Sequence, residues 1–326
     1  MKTRLFDDCL VGEVGLGCWQ IGGSWGHVSD SDAIGILRTA YENGVTFFDT
    51  ADVYGGGRSE DLISQWVRMD HPRGIFVATK QGRASEPGWP ENFTLAAMRS
   101  HVDASRRRLG VDSLDLLQLH CIPEEALREG SVFDHLRILQ EEGAIRRFGA
   151  SVESMEQAAI CMQHADLVSL QILFNVFRQR PVWQLFDKAQ AQGTAIIVRL
   201  PLASGLLTGK MSTMTVFDAT DHRNFNRDGA AFNVGETFSG LPFIDGLDLV
   251  DALLPFVPGD MSLAQFAMRW ILDHAAVTVV IPGASRADQI VGNVSAGELS
   301  PLPSELHASL EAWYLTYVDA QVRGPY

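Results

Sequence analysis

Four residues of this chain carry side chains that could together move a proton: Asp49, Tyr54, Lys80 and His120. Asp49 closes the apolar run "VTFFD", and Tyr54 follows five residues later beside Gly55, Gly56 and Gly57. Lys80 ends "GIFVATK" and His120 ends "LDLLQLH". A tyrosine with an ordinary pKa of about 10 is a poor acid toward a weakly basic carbonyl. A neighbouring ammonium favours its phenolate and lowers that value. A carboxylate beside the lysine would neutralise and aim it, because a buried cation without a partner is costly. A neutral histidine can hydrogen-bond a carbonyl oxygen and turn it toward the tyrosine. The four side chains could therefore protonate an alkoxide as it forms. They contain no nucleophile–base pair and no metal-ligand cluster, so the hydride has to come from a cofactor.

Such a site needs elements that bring residues 49 to 120 to one place. Eight β-rich runs recur along the chain: "VGLGCW", "VTFFD", "GIFVATK", "LDLLQLH", "IRRFGAS", "LVSLQ", "TAIIVR" and "VTVVIPG". Segments of helical period lie between most of them, several ending on glycine as a helix before a tight turn does. Strands alternating with helices pair in parallel through crossovers. Eight such units predict a single (β/α)8 TIM barrel, one α/β domain over residues 1–326. A doubly wound open sheet is the alternative, but no G-x-G-x-x-G follows the first strand. The runs end on Trp19, Asp49, Lys80, His120, Ser151, Gln171 and Arg199, with Gly283 after the eighth. In a parallel barrel these positions share the C-terminal face, where barrel enzymes carry their active sites. The short pieces "TRL" and "CLV" are expected to form an N-terminal hairpin across the barrel bottom. A long insertion separates strand 7 from helix 7, and its length predicts a cover over a ligand.

Bulk properties narrow the partners. The apolar fraction of 46% and charged fraction of 20% are those of a globular chain. Twenty-six basic against 40 acidic residues give a net charge of −14, which repels phosphate backbones and argues against nucleic acid. No run approaches the ~18 apolar residues of a membrane span. The N-terminus lacks the apolar stretch of a signal peptide, and the four cysteines show no ligand spacing. A cytoplasmic location is the expectation. Oligomeric state is not readable.

Substrate contacts are less determined. Trp19, Trp25, Tyr54 and Trp89 could form an aromatic wall for sugar or ring faces. Arg178 and Arg180 follow the sixth strand, and Arg223 and Arg227 lie in the insertion. They could bind a carboxylate, a phosphorylated sugar or the cofactor, or pair with acids such as Asp218, Asp221 and Asp228.

At "FFDTADVYG", "VATK" and "DLLQLH" the chain resembles the aldo-keto reductase superfamily, over nearly its full length. The resemblance implies a catalytic tetrad of Asp49, Tyr54, Lys80 and His120. It also implies NADPH, or alternatively NADH, bound in extended form across the strand ends. Ser151 and Gln171 would hold the carboxamide, with Trp19, Asp49 and Arg199 beside the ring. "PLASGLLTGK" would wrap the diphosphate through Pro201, Leu202, Ser204, Gly205 and Lys210, assisted by Arg223. Gly283, Ser285, Arg286, Gln289 and Asn293 would hold the adenosine end. Three positions depart from the family pattern: Val152 replaces an asparagine, Arg199 a stacking aromatic, and Gly292 an acid. Arg199 either lies flat on the nicotinamide, its charge favouring the reduced ring, or turns away to pair with an acid.

The resemblance implies an oxidoreductase passing hydride between NADPH and an aldehyde, ketone or sugar carbonyl, reversible as an alcohol or sugar dehydrogenase. A cofactor-sensing subunit of the channel β-subunit type, with slow or no turnover, is the alternative. A Schiff-base aldolase using Lys80 is a third reading, and it leaves Tyr54 unexplained.

Overall fold

In the computed structural model, which describes all residues except Ser24 and His27, eight short parallel strands close on themselves. An antiparallel hairpin, β1 (Thr3–Phe6) and β2 (Cys9–Gly12), precedes them. The barrel strands are β3 (Leu16–Gly17), β4 (Phe47–Asp49), β5 (Phe76–Gln81) and β6 (Leu116–His120), then β7 (Phe148–Ser151), β8 (Ser169–Leu173), β9 (Ala195–Arg199) and β10 (Val277–Val280). Each pairs with its sequence neighbour, and parallel bridges Val14–Val280 and Gly17–Gly283 close the ring. The expected barrel and its leading hairpin are both present.

Strand alternation explains how the barrel is filled. Phe47, Phe76, Ala78, Leu116, Ala195, Ile197 and Val279 form one buried cluster with Phe6 and Val11 of the hairpin. Neighbouring strand residues such as Phe48, Leu117 and Ile196 belong to the second cluster, which packs against the helices. Side chains two residues apart share a face. The inward set of β4 therefore runs Phe47, Asp49; that of β5 runs Phe76, Ala78, Lys80; that of β6 runs Leu116, Gln118, His120; and that of β9 runs Ala195, Ile197, Arg199. The lower layers are apolar, and the hairpin's Phe6 packs on Phe47 and Phe76 at ring separations of 5.6 and 5.0 Å. The uppermost layer is polar or charged.

The helices outside are delimited by local signals. Ser29, Thr94 and Ser154 each accept a backbone N–H at a helix start, and Ser262 forms a capping box with Gln265. Gly110 and Gly193 end helices in the left-handed conformation. Between β9 and the helix Phe243–Leu253 the chain runs through loops and short helical pieces, Ala203–Thr208, His222–Phe225, Val234–Glu236 and Phe238–Gly240. Among the described residues no helix is long and apolar enough to cross a membrane.

Candidate active site

Lys80 is the centre of the polar layer. Its side chain is fully buried, and Nζ lies 2.5 Å from Asp49 Oδ1, 2.8 Å from the Thr50 carbonyl oxygen and 3.3 Å from the Tyr54 hydroxyl. Burial works against its charge, but Asp49 and Tyr54, through charge and hydrogen bonding together, outweigh that penalty and raise its pKa. Asp49 is held on its other oxygen by Gln171 Nε2 at 2.7 Å and Gln118 Nε2 at 3.1 Å. Gln118 carries a signal visible in the sequence: it stands two residues before His120 and shares its face.

Tyr54 reaches Lys80 because two glycines interlock beneath it. Gly55 has φ +63°, and a Cβ there would sit 2.1 Å from the Gly22 carbonyl oxygen. Trp19 stacks on Tyr54 at 5.9 Å, and the His120 ring meets Tyr54 edge-on at 5.8 Å. One sequence expectation needs correction here. Burial pushes the Tyr54 pKa up, the Lys80 charge pulls it down, and the carboxylates of Asp49 and Glu236 add to the rise. The net direction is upward, so the resting tyrosine keeps its proton. His120 is buried, with Nδ1 unpartnered among the described residues. Burial, reinforced by the charges of Arg83, Lys80 and Arg199, holds its pKa well below 6.5, and the ring is neutral.

These groups border a cavity of about 590 Å³, counting the space at its mouth that is open to solvent. Ser151, Gln171, Gly283 and Pro201 line it, together with Trp19, Trp25 and Arg199. Trp25 meets Trp19 edge-on at 5.4 Å, and Arg223 lies over Trp25 at 4.9 Å. The cavity also exposes three residues absent from the sequence reading: Arg83, Cys121 and Glu236. Glu236 comes from the insertion and is buried; its Oε1 lies 3.0 Å from Arg83 and 3.4 Å from Arg199. Arg83 also pairs with Glu153 at 2.9 Å. Gly82, at φ +124°, makes the turn that leads from β5 to Arg83. Arg199 also donates to the Val152 carbonyl oxygen at 3.2 Å. Of the two orientations expected for Arg199, the structure holds the one paired with an acid.

The remaining candidates divide by place. Ser204 is buried, its hydroxyl donating to the Glu236 carbonyl oxygen and accepting from Phe238 N–H, both at 3.1 Å, so it ties the insertion together. Leu202 packs on the core, and Gly205 follows Ser204 with φ +100°. Arg223 pairs with Asp221, as the ion-pair alternative anticipated. Arg286 stands exposed at the N-cap of the helix Ala287–Ser295, paired with Asp288, whose pKa is lowered chiefly by the Arg286 hydrogen bond, with Lys210 a minor contributor. Gln289 caps the same helix by accepting from the Ser285 and Arg286 N–H groups, and Asn293 lies buried within it.

Three substrate candidates lie elsewhere. Arg178 is fully buried, donating to the Ser239 and Pro325 carbonyl oxygens beneath the Tyr326 ring. Arg180 pairs with Asp319 at 2.8 Å and contacts the same ring. Both clamp the segment around residues 319–326, because a buried guanidinium has to spend its donors on carbonyls and rings. Trp89 is 53% exposed, packs on Phe93 and is not part of the cavity wall.

Comparison with known proteins places these features in context. The model of the Aldo/keto reductase family matches residues 13–314. An uncharacterized oxidoreductase of Schizosaccharomyces pombe is 30% identical over 310 residues, 93% of this chain and 87% of the relative. A second S. pombe relative, the aldo-keto reductase yakc [NADP(+)], is 26% identical over 91% of this chain and 86% of its own length. The holo form of an aldo-keto reductase from Bacillus halodurans superposes with a TM-score of 0.78 at 26% identity, covering 99% and 98% of the two chains. Glycerol dehydrogenase from Gluconobacter oxydans gives 0.76 at 26% identity over 97% and 96%.

Proposed function

Since the chain belongs to the aldo/keto reductase family, we propose that it reduces an aldehyde, ketone or sugar carbonyl with NADPH in preference to NADH, and that Tyr54 is the general acid. The observation that carries this reading is the Lys80 ammonium, fixed between Asp49 and the Tyr54 hydroxyl beside a cavity that Asp49, Tyr54 and His120 line.

The cavity edge suits a nicotinamide carboxamide. Gln171 commits its NH2 group to Asp49, and its carbonyl oxygen receives only a long 3.5 Å contact from Ser151. That leaves an acceptor and a hydroxyl for a primary amide. NADPH held there supplies the hydride. The protein's part is proton delivery and alignment: His120 donates a hydrogen bond to the carbonyl oxygen, and Tyr54 transfers its proton to that oxygen as charge develops. Lys80 then stabilises the phenolate left behind. A Schiff-base role for Lys80 conflicts with its environment, since the raised pKa keeps the amine protonated.

The 2′-phosphate is assigned to Arg286, at the N-terminus of the nine-residue helix Ala287–Ser295. Its pair with Asp288 is exposed on both sides and is readily exchanged for a phosphate. A screen of carbonyls and sugars, followed by nicotinamide absorbance with each cofactor, tests the whole reading. Turnover is expected with NADPH, and no turnover with any carbonyl would overturn it. Arg286→Ala is expected to raise KM for NADPH about tenfold, the loss of one charge-assisted contact, and to leave NADH nearly unaffected. Equal losses for both cofactors would remove the assignment.

The protonation states predict a level pH profile for reduction. The pKa of His120 lies well below 6.5 and that of Tyr54 above 10.0, so between those values the ring is neutral and the hydroxyl keeps its proton. Reductive kcat/KM should therefore be flat from about pH 6.5 to 9, whereas alcohol oxidation, which needs the phenolate as base, should rise with pH. A reductive inflection near the ordinary histidine value would show that His120 carries charge in catalysis.

A further inference from the structure

The cavity holds an ion-pair network that proton transfer does not use. Arg83 and Arg199 both face Glu236, and Arg83 is also held by Glu153. Two guanidiniums, one buried (Arg199) and one partly buried (Arg83), beside His120 are what a carboxylate-bearing substrate would seek. Glu236 occupies that position. Its carboxylate is buried, and although burial alone would raise its pKa, Arg83 and Arg199 lower it and keep it ionised. Glu236 is also fixed in place, because its own carbonyl oxygen accepts from Ser204.

Counting charge around the cavity makes the consequence definite. The cations are Lys80, Arg83 and Arg199; the anions are Asp49, Glu153 and Glu236. These balance before any substrate enters, so a substrate carboxylate would arrive without a counter-charge. We propose that Glu236 is a specificity-determining residue that occupies an anion site between Arg83 and Arg199 and restricts the cavity to neutral carbonyl compounds.

This inference rests on the cavity being the carbonyl site, and its test uses binding instead of turnover so that the two can fail separately. The probes are 4-carboxybenzaldehyde and 4-carbamoylbenzaldehyde, which match in shape and differ in charge. Calorimetry on the wild-type protein with NADP+ present is expected to show the amide binding at least about tenfold more tightly, the scale of a like-charge mismatch. Glu236→Gln keeps the shape, leaves Arg199 without an acid and Arg83 with Glu153 alone, and so gives the cavity one uncompensated cation. It should move the ratio of the two dissociation constants at least about tenfold toward the acid. Either of two outcomes overturns the proposal: a wild-type protein that binds the acid as tightly as the amide, or a folded Gln variant with an unchanged ratio. The wild-type comparison decides alone if the variant does not fold. Absence of turnover with both aldehydes, alongside the expected binding ratios, would instead count against the reductase reading.

Discussion

Tyr54→Phe is expected to lower kcat for carbonyl reduction by about 10²- to 10⁴-fold, the range for loss of a general acid. The substitution removes one oxygen and keeps the ring that stacks on Trp19. Neither Ser151 nor Gln171 bonds to the Tyr54 hydroxyl, which accepts from Lys80. Cofactor affinity, measured by fluorescence titration, should therefore stay close to the wild-type value. That separation makes the experiment decisive. Turnover near the wild-type rate in a folded Phe variant would show that the proton comes from another group, and His120 would be the next to test. A parallel loss of cofactor binding would show that the ring, and not the proton, had been disturbed.

Lys80→Met should be at least as damaging, and on two readouts. It removes the cation that stabilises the Tyr54 phenolate, and it leaves Asp49, itself 2% exposed, with only the amides of Gln118 and Gln171. Breaking a buried ion pair from one side costs about 3–5 kcal/mol. Urea denaturation should therefore show a large drop in stability together with a loss of activity comparable to that of Tyr54→Phe. The double variant Lys80→Met, Asp49→Asn separates these effects. Removing the stranded carboxylate should restore much of the stability and none of the activity. A single variant as stable as wild type would mean that the pair is not buried as described, and recovered activity in the double variant would detach Lys80 from the chemistry.

The barrel was legible because its signals are local. Phe47–Phe48–Asp49 alternates faces, and that alternation alone places Asp49 above Phe47 inside the ring. Lys80 and His120 follow from the same count of two. The first strand was read too long: it is only Leu16–Gly17, and Trp19 begins a short helix instead of ending a strand. Glu236 was not legible, because its contacts with Arg83 and Arg199 join residues 153 and 37 positions apart. No periodicity in the glycine-rich insertion marks one acid over another. Arg178 was misplaced for the opposite reason. Position after a strand put it near the rim, but its side chain turns toward the Pro325 carbonyl and the Tyr326 ring, a distant segment that strand counting does not see.

One property of the insertion reaches beyond this chain's own chemistry. The groups proposed to transfer the proton, Asp49, Tyr54, Lys80 and His120, stand on β4, β5 and β6 or in the loop after β4, whereas Glu236 is carried on a turn between β9 and the helix Phe243–Leu253. The catalytic frame and the charge filter are therefore separate modules of inheritance. Mutation, insertion or recombination in the segment around Val234–Glu236 can change which carbonyls are admitted while the barrel continues to fold and to deliver its proton. Divergence in substrate use among chains of this architecture should be concentrated there, and a laboratory library confined to this turn is an economical place to search for new activities.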